Sequence, residues 1–413
     1  MKTREWIILV LIITAASSFT FSYFFSHPQV VTQTVTVTET INIVPVPPDG
    51  EYEEGVRELL RHVMEWVESR RGLSFKEEVD VVILTREWVV QHWGVGSLNL
   101  TETRLEERLL KSLFMIPWDF NLTEFKVGRA GYIVAASAGN TVYIVKEEFN
   151  PDNELRAGAI LVHELMHILQ GEYFDLPDPS TSDEGNAFDA LIEGEAGLIS
   201  SQYISEHGEF GGGLSEGDLD PLTALWLFPY IHGRPFVEYV HEKGGWDGVN
   251  EIYEDPPRST AEILHPEKYS EGWRPVKPSL PPEIGGEWRL VMQDTLGEYF
   301  IRQMFRAHLP SSTANMSAEG WRGDVVQIYE KGDAYVMRWK IVWEDSEEAM
   351  EFLEAFKGLL REVDANQASA NSWTTEMESI MVEVSGAEVL IEIISPPMKP
   401  MEEAINISNI QNS

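Results

Sequence analysis

The stretch Leu161-Val162-His163-Glu164-Leu165-Met166-His167-Ile168-Leu169-Gln170 decides how this chain is read. Its apolar residues follow a helical period, and Asp152 or Asn153 is placed to cap a helix running to about Gln170. Residues four apart lie one above the other on a helix face, so His163 and His167 can both reach one cation while Glu164 projects beside it. Three ionisable groups inside an apolar helix are costly without a partner, and a metal ion supplies one. A random chain of this composition would show HExxH roughly two times in a hundred. Chance and simple hydrogen bonding of a buried helix are therefore the weaker explanations.

A catalytic zinc takes three protein ligands and leaves a fourth position for water. The chain has no cysteine, so the third ligand must be His, Asp or Glu. Downstream, Ala190-Leu191-Ile192-Glu193-Gly194-Glu195-Ala196 again sets carboxylates in an apolar helical pattern, on a helix expected from Ala187 to Ser205. Glu193 is the leading candidate. Glu195 competes from a different helix face, and Asp175, Asp178, Asp183 and Glu184 lie in the intervening segment.

HExxH followed by Glu193-Gly194-Glu195-Ala196 resembles the gluzincin metallopeptidases. The resemblance implies a zincin-like α+β fold, one catalytic Zn2+ held by His163, His167 and Glu193, and peptide-bond hydrolysis with Glu164 as the base. The gap from His167 to Glu193 is longer than in the best-known members, which calls for an insertion between the two helices. Gly194, Ala196 and Gly197 are small enough to let the third-ligand helix approach the metal helix closely. More narrowly, the chain resembles a group of largely uncharacterised bacterial and archaeal metallopeptidases. The matching stretches are His163 to Gln170, Ala190 to Ala196, Phe228-Pro229-Tyr230, Pro256 to Tyr269 and Gly320-Trp321-Arg322-Gly323-Asp324. Enzymes of this class carry a Tyr or His donor for the tetrahedral intermediate; Tyr230, His232 and His265 are the candidates, with Tyr230 and His265 favoured. Tyr230 sits between a proline and Gly233, where a turn would expose its hydroxyl, and His265 precedes a proline. Asp189 is a candidate to orient a ligand histidine, and Val134 to Ser137 a candidate sheet edge for pairing with an extended peptide.

The rest of the 413 residues divides around this site. Residues 1–25 carry Lys2 and Arg4 before an apolar run from Trp6 to Phe25, about 20 residues and long enough for a bilayer. The charge asymmetry points the remainder outward, as a single-pass membrane protein or, if the segment is cleaved, a secreted one. Residues 26–50, Thr/Val-rich and then Pro-rich, read as an extended stalk. Residues 51–280 read as the metallopeptidase domain, 281–395 as a smaller α+β accessory domain, and 396–413 as a flexible tail. Four Asn-x-Ser/Thr triplets, at Asn99, Asn121, Asn315 and Asn406, fit an outward compartment.

A formal charge of -37, from 68 acidic against 31 basic residues, excludes nucleic acid as a natural partner. Peptide or protein substrate and the membrane are the expected partners; oligomeric state is not encoded legibly. A different class of function, a zinc-holding surface module for interaction or assembly without turnover, is compatible with the same ligands.

Overall fold

Val56, Leu60, Val63 and Val67 form one apolar stripe along helix α1 (Gly50–Arg71), and all four are buried. Each contributes about 1.5–3 kcal/mol by leaving water. The stripe packs on α5 (Glu154–Tyr173), the helix that carries the two expected histidine ligands. The computed structural model describes residues 50–208, 216–279 and 283–395. The expected anchor, the stalk before Gly50 and the tail lie outside the described residues, and among those described no helix is long and apolar enough to cross a membrane.

Between α1 and α5 the chain builds a small sheet flanked by short helices. Strand β1 (Asp80–Leu84) leads to α2 (Arg86–Val89), which continues as a π-helical turn over Val90–Val95. Helices α3 (Leu100–Ser112) and α4 (Leu122–Ala130) follow, then the hairpin of β2 (Ala135–Ala138) and β3 (Thr141–Val145). β3 is central: it pairs parallel with β1, Asp80 opposite Thr141, and antiparallel with β2, Ala135 opposite Ile144. β2 is thus an edge strand. The carboxamides of Asn99 and Asn121, both in glycosylation triplets, cap α3 and α4 by accepting from backbone N–H groups.

Helix α6 (Ser182–His207) begins five residues before the expected start, capped by Thr181. Helix α7 (Pro221–Glu254) corrects the reading of Phe228 to Gly233 as a turn: Pro229 and Pro235 lie inside the helix, which breaks only at Gly245. The reason is close packing. A Cβ on Gly194 would sit 2.4 Å from backbone atoms of Gly233, and one on Gly233 would sit 2.1 Å from the Ala190 carbonyl oxygen. Gly194 therefore brings α6 against α7, rather than against the metal helix as its sequence context suggested. The contact of α5 with α6 uses Gly158 instead, over which the Tyr203 ring lies. Two short helices, α8 (Thr260–Leu264) and α9 (Pro266–Ser270), close this half.

The C-terminal half is a seven-stranded antiparallel sheet. It contains β4 (Arg289–Asp294), β5 (Trp321–Lys331), β6 (Ala334–Trp343), β7 (Asn366–Ser369), β8 (Ser372–Thr374), β9 (Ser379–Ser385) and β10 (Glu388–Ser395), in the order β4-β5-β6-β10-β9-β8-β7. The expected hairpins at Gly332 and Gly386 join β5 to β6 and β9 to β10. Helices α10 (Gly297–Arg306), α11 (Ser311–Met316) and α12 (Ser346–Glu362) complete it, α10 and α12 packing on the sheet around buried Trp321, Trp339, Trp343 and Phe352. Leu105, Leu109, Leu110 and Leu113 of α3 join the same core. The whole is an α+β fold whose halves exchange an element.

The two halves also meet at a knot of buried acids. Asp324 accepts from Leu296 N and Gly297 N and from the indoles of Trp321 and Trp339, fixing the β4–α10 loop. That loop reaches α6: Asp294 accepts from Ser182 N at 2.8 Å, and Asp183 N donates to the Thr295 carbonyl at 3.0 Å. Asp183 in turn accepts from Thr260 N and Oγ1. Gly297 has φ 85°, and a Cβ there would overlap the Asp183 carboxylate.

Among the described residues none of these three aspartates has a cation beside it, and burial pushes Asp294 up to about 7 and raises Asp183 and Asp324 as well. A carboxyl whose folded value lies above its unfolded one adds stability that is fully present below the unfolded value and is lost as pH rises through the folded value. The protein should therefore unfold at lower urea concentration at pH 8 than at pH 5. Asp294→Asn should narrow that difference; an unchanged difference in paired urea titrations would refute the role given to Asp294.

Candidate metal centre

His163 and His167 project from one face of α5, and Glu193 meets them from the middle of α6. One ligand atom from each lies within 4.8 Å of the other two. Glu193 Oε2 is 3.0 Å from His163 Nε2 and 3.5 Å from His167 Nε2, and all three side chains are buried. His167 Nε2 has no hydrogen-bond partner. Two imidazole nitrogens and a carboxylate oxygen, aimed inward at one point, form a group that can hold a metal ion, and nitrogen–oxygen sets of this kind suit zinc.

The tautomer at His167 follows from its other nitrogen. Nδ1 lies 2.9 Å from Gln170 Oε1, which can only accept, so Nδ1 carries a proton and Nε2 is the nitrogen left to face Glu193 or a metal ion. Gln170 Nε2 then donates to the Ile192 carbonyl and to Glu195 Oε2, both at 2.9 Å. Glu195 is fully buried, paired with Arg71 of α1 at 2.5 Å and accepting from Tyr253 of α7 at 2.5 Å. The competing carboxylate is thus not a ligand candidate. It ties α1, α6 and α7 together and anchors the amide that sets His167. Gln170 orients this ligand. The signal was present three residues after His167, one helical turn on the same face.

Glu164 is fully buried. Its Oε2 accepts from Ser137 Oγ of β2 at 3.1 Å, and its Oε1 has no hydrogen-bond partner. Burial pushes its carboxyl up to about 8, with His167 pulling the other way and the Glu193 charge adding to the rise. Burial opposes charge on His167 also, yet Glu193 beside it, with Glu164 and the Gln170 acceptor, raises it to about 9. Against the same burial penalty, His167 and then His163 hold Glu193 well below the usual carboxylate range. His163 is lowered by burial. Without a metal the group balances as a Glu193 carboxylate facing a protonated His167, and a divalent ion there would replace that proton.

Tyr230 joins the group: its hydroxyl donates to Glu193 Oε1 at 3.1 Å, the oxygen turned away from His163. His265 and His232 are placed elsewhere. His265 Nε2 is 2.8 Å from Glu298, and His232 Nε2 is 3.1 Å from Glu216, which also receives Arg302, Gln303 and Arg306. Asp183 serves the junction between the halves, Glu184 accepts from Ser180, and Asp175 and Asp178 are exposed.

With this geometry in view, the likenesses to known proteins are few. The family model of a domain of unknown function, DUF8575, matches residues 288–402, which is the seven-stranded half and leaves the metal group outside it. No curated protein matches the chain. It is similar to a crystal structure from Chloroflexus aurantiacus described as "a putative hydrolase with a novel fold", at 17% identity over 55% of this chain and 91% of that one, with a TM-score of 0.36. At that score the likeness carries no argument about fold or activity.

Titration calorimetry with zinc should find one site per chain. Gln170→Ala and Tyr230→Phe should each weaken it by about 10- to 100-fold, the usual loss when a ligand's supporting partner is removed. Glu193→Gln should weaken it more. Tyr230→Phe with unchanged zinc affinity would show that the hydroxyl does not position the carboxylate.

Proposed function

We propose that this protein is a zinc metallopeptidase of gluzincin type that hydrolyses peptide bonds of peptides or proteins outside the cytoplasm. The observation that supports it most is the convergence of His163, His167 and Glu193 beside a buried glutamate with one carboxylate oxygen free. Residues 1–49, on which the outward and membrane-tethered part of the reading rests, lie outside the described residues.

His163, His167 and Glu193 would hold the ion. Zinc with three protein ligands supplies an acidified water and a Lewis acid for the scissile carbonyl. Glu164 takes a proton from the attacking water at Oε1 and returns it to the leaving nitrogen; the Ser137 hydroxyl holds Oε2 meanwhile and fixes the plane of the carboxylate. Burial keeps this carboxyl readily protonated, which suits the second transfer, and a neighbouring cation favours its ionised form for the first. Edge strand β2 carries Ser137 to Glu164, so an extended peptide adding to that edge would lie alongside the base. Tyr230 keeps Glu193 Oε2 turned to the histidines in the substrate-free group, and its single hydroxyl proton would have to leave Glu193 Oε1 to serve as the donor to the developing oxyanion.

Glu164→Gln removes the base and keeps the shape. Hydrolysis of a broad peptide library should fall by about 10²–10⁴-fold while zinc still binds one per chain. Full activity in that variant would overturn the mechanism, and stoichiometric zinc with no hydrolysis by the wild type would favour a non-catalytic surface module.

A further inference from the structure

A second site of a different kind opens between the two halves. It is a cavity of about 890 Å3, within the ~300–1,000 Å3 typical of ligand sites. Its wall is aromatic and sulfur-bearing: Phe114, Trp118, Phe120 and Phe125 from the α3–α4 region, with Met115 and, from the sheet half, Met377. Trp118 and Met377 remain exposed.

The charged residues around this wall are unevenly committed. Lys111 is paired with Glu107 at 2.6 Å, and His308 donates to the Phe114 carbonyl at 2.7 Å. Asp364 and Glu376 are exposed and have no basic partner among the described residues, whereas Asp220, also exposed, caps α7 by accepting from Thr223 N. The site thus presents apolar surface beside two uncompensated carboxylates.

Two of these residues hold unusual backbone conformations. Among the described residues, Phe114 (φ 60°) and Asp364 (φ 54°) are the non-glycine residues with positive φ. Each follows a helix end, α3 and α12, whose backbone closes as a Schellman motif: Met115 N donates to the Leu110 carbonyl, and Ala365 N to that of Leu360. Glycine is the favoured residue at such positions, and a phenylalanine there is held at a cost of about 1–2 kcal/mol. Strain of this kind concentrates at binding sites.

The cavity shares a helix with the metal group: Leu222 in its wall and Tyr230 lie eight residues apart on α7, about 12 Å along its axis.

We propose that this cavity is an exosite that binds polypeptide substrate through a large apolar residue adjoining a lysine or arginine. The apolar side chain fills the aromatic wall, and the basic one meets Asp364 and Glu376. The substrate part of this proposal rests on the peptidase reading, so the test reads binding and not hydrolysis. Fluorescein-labelled Gly-Gly-Phe-Lys-Gly-Gly amide is titrated into the full chain carrying Glu164→Gln, with anisotropy as the signal, before and after chelation of metal. Binding should be at least about tenfold tighter than for the Phe-to-Gly or Lys-to-Glu peptide, and should survive chelation. Trp118→Ala, and separately the pair Asp364→Asn with Glu376→Gln, should each weaken it about five- to tenfold. The control pair Glu58→Gln with Glu65→Gln, on the exposed face of α1, should leave it unchanged. Equal binding of the three peptides, unaffected pocket variants, or an equal loss in the control would overturn the exosite. If the pocket variants behave as expected while the wild type hydrolyses no peptide, the binding site stands and the peptidase reading falls.

Discussion

The structure depends on one buried arrangement of charge: the Glu193 carboxylate set against two imidazoles at the contact of α5 and α6. Each partner alone would be expensive to bury, and each is tolerated because the others are there. Around them, polar side chains are committed in sequence. His167 is set by Gln170, Gln170 by Glu195, and Glu195 by Arg71 and Tyr253, so the α1–α6–α7 packing and the ligand geometry are one problem with one solution. Arg71 further lies over the Trp246 ring at 4.7 Å, which fits a guanidinium into an otherwise apolar interior.

Backbone proximity makes that arrangement possible. Side chains as short as His and Glu can share an ion only if their helices nearly touch, and Gly158 permits this where the Tyr203 ring of α6 lies over α5. Gly194 and Gly233 make the matching close contact of α6 with α7.

What the sequence made legible follows from locality. The HExxH helix, its Asn153 cap, the β2–β3 hairpin and the two C-terminal hairpins are written in residues a few positions apart, where period and turn chemistry act. The assembly of His163 and His167 with Glu193 was also readable, because two motifs each carried ionisable groups in apolar helices. The course of α7 was not: Pro229, Gly233 and Pro235 punctuate the chain locally, and only the tertiary contact with α6 overrides them. His265 and His232 failed to join the site for a related reason, since their partners Glu298 and Glu216 are brought to them by distant elements. The exchange of α3 into the C-terminal core was equally invisible, because amphipathic leucines name a buried face and not the surface that buries it.

The first turn of α6 has a consequence for biosynthesis. Amides at the start of a helix lack partners within it, and here Ser182 N and Asp183 N find theirs on Asp294 and Thr295, more than a hundred residues onward. In a chain made N-terminus first, these two amides gain their partners only once the β4–α10 loop has been synthesised, well after the histidine helix. The start of the helix that carries Glu193 thus draws on the C-terminal half, and a product terminated before Asp294 would carry the three ligands without these partners.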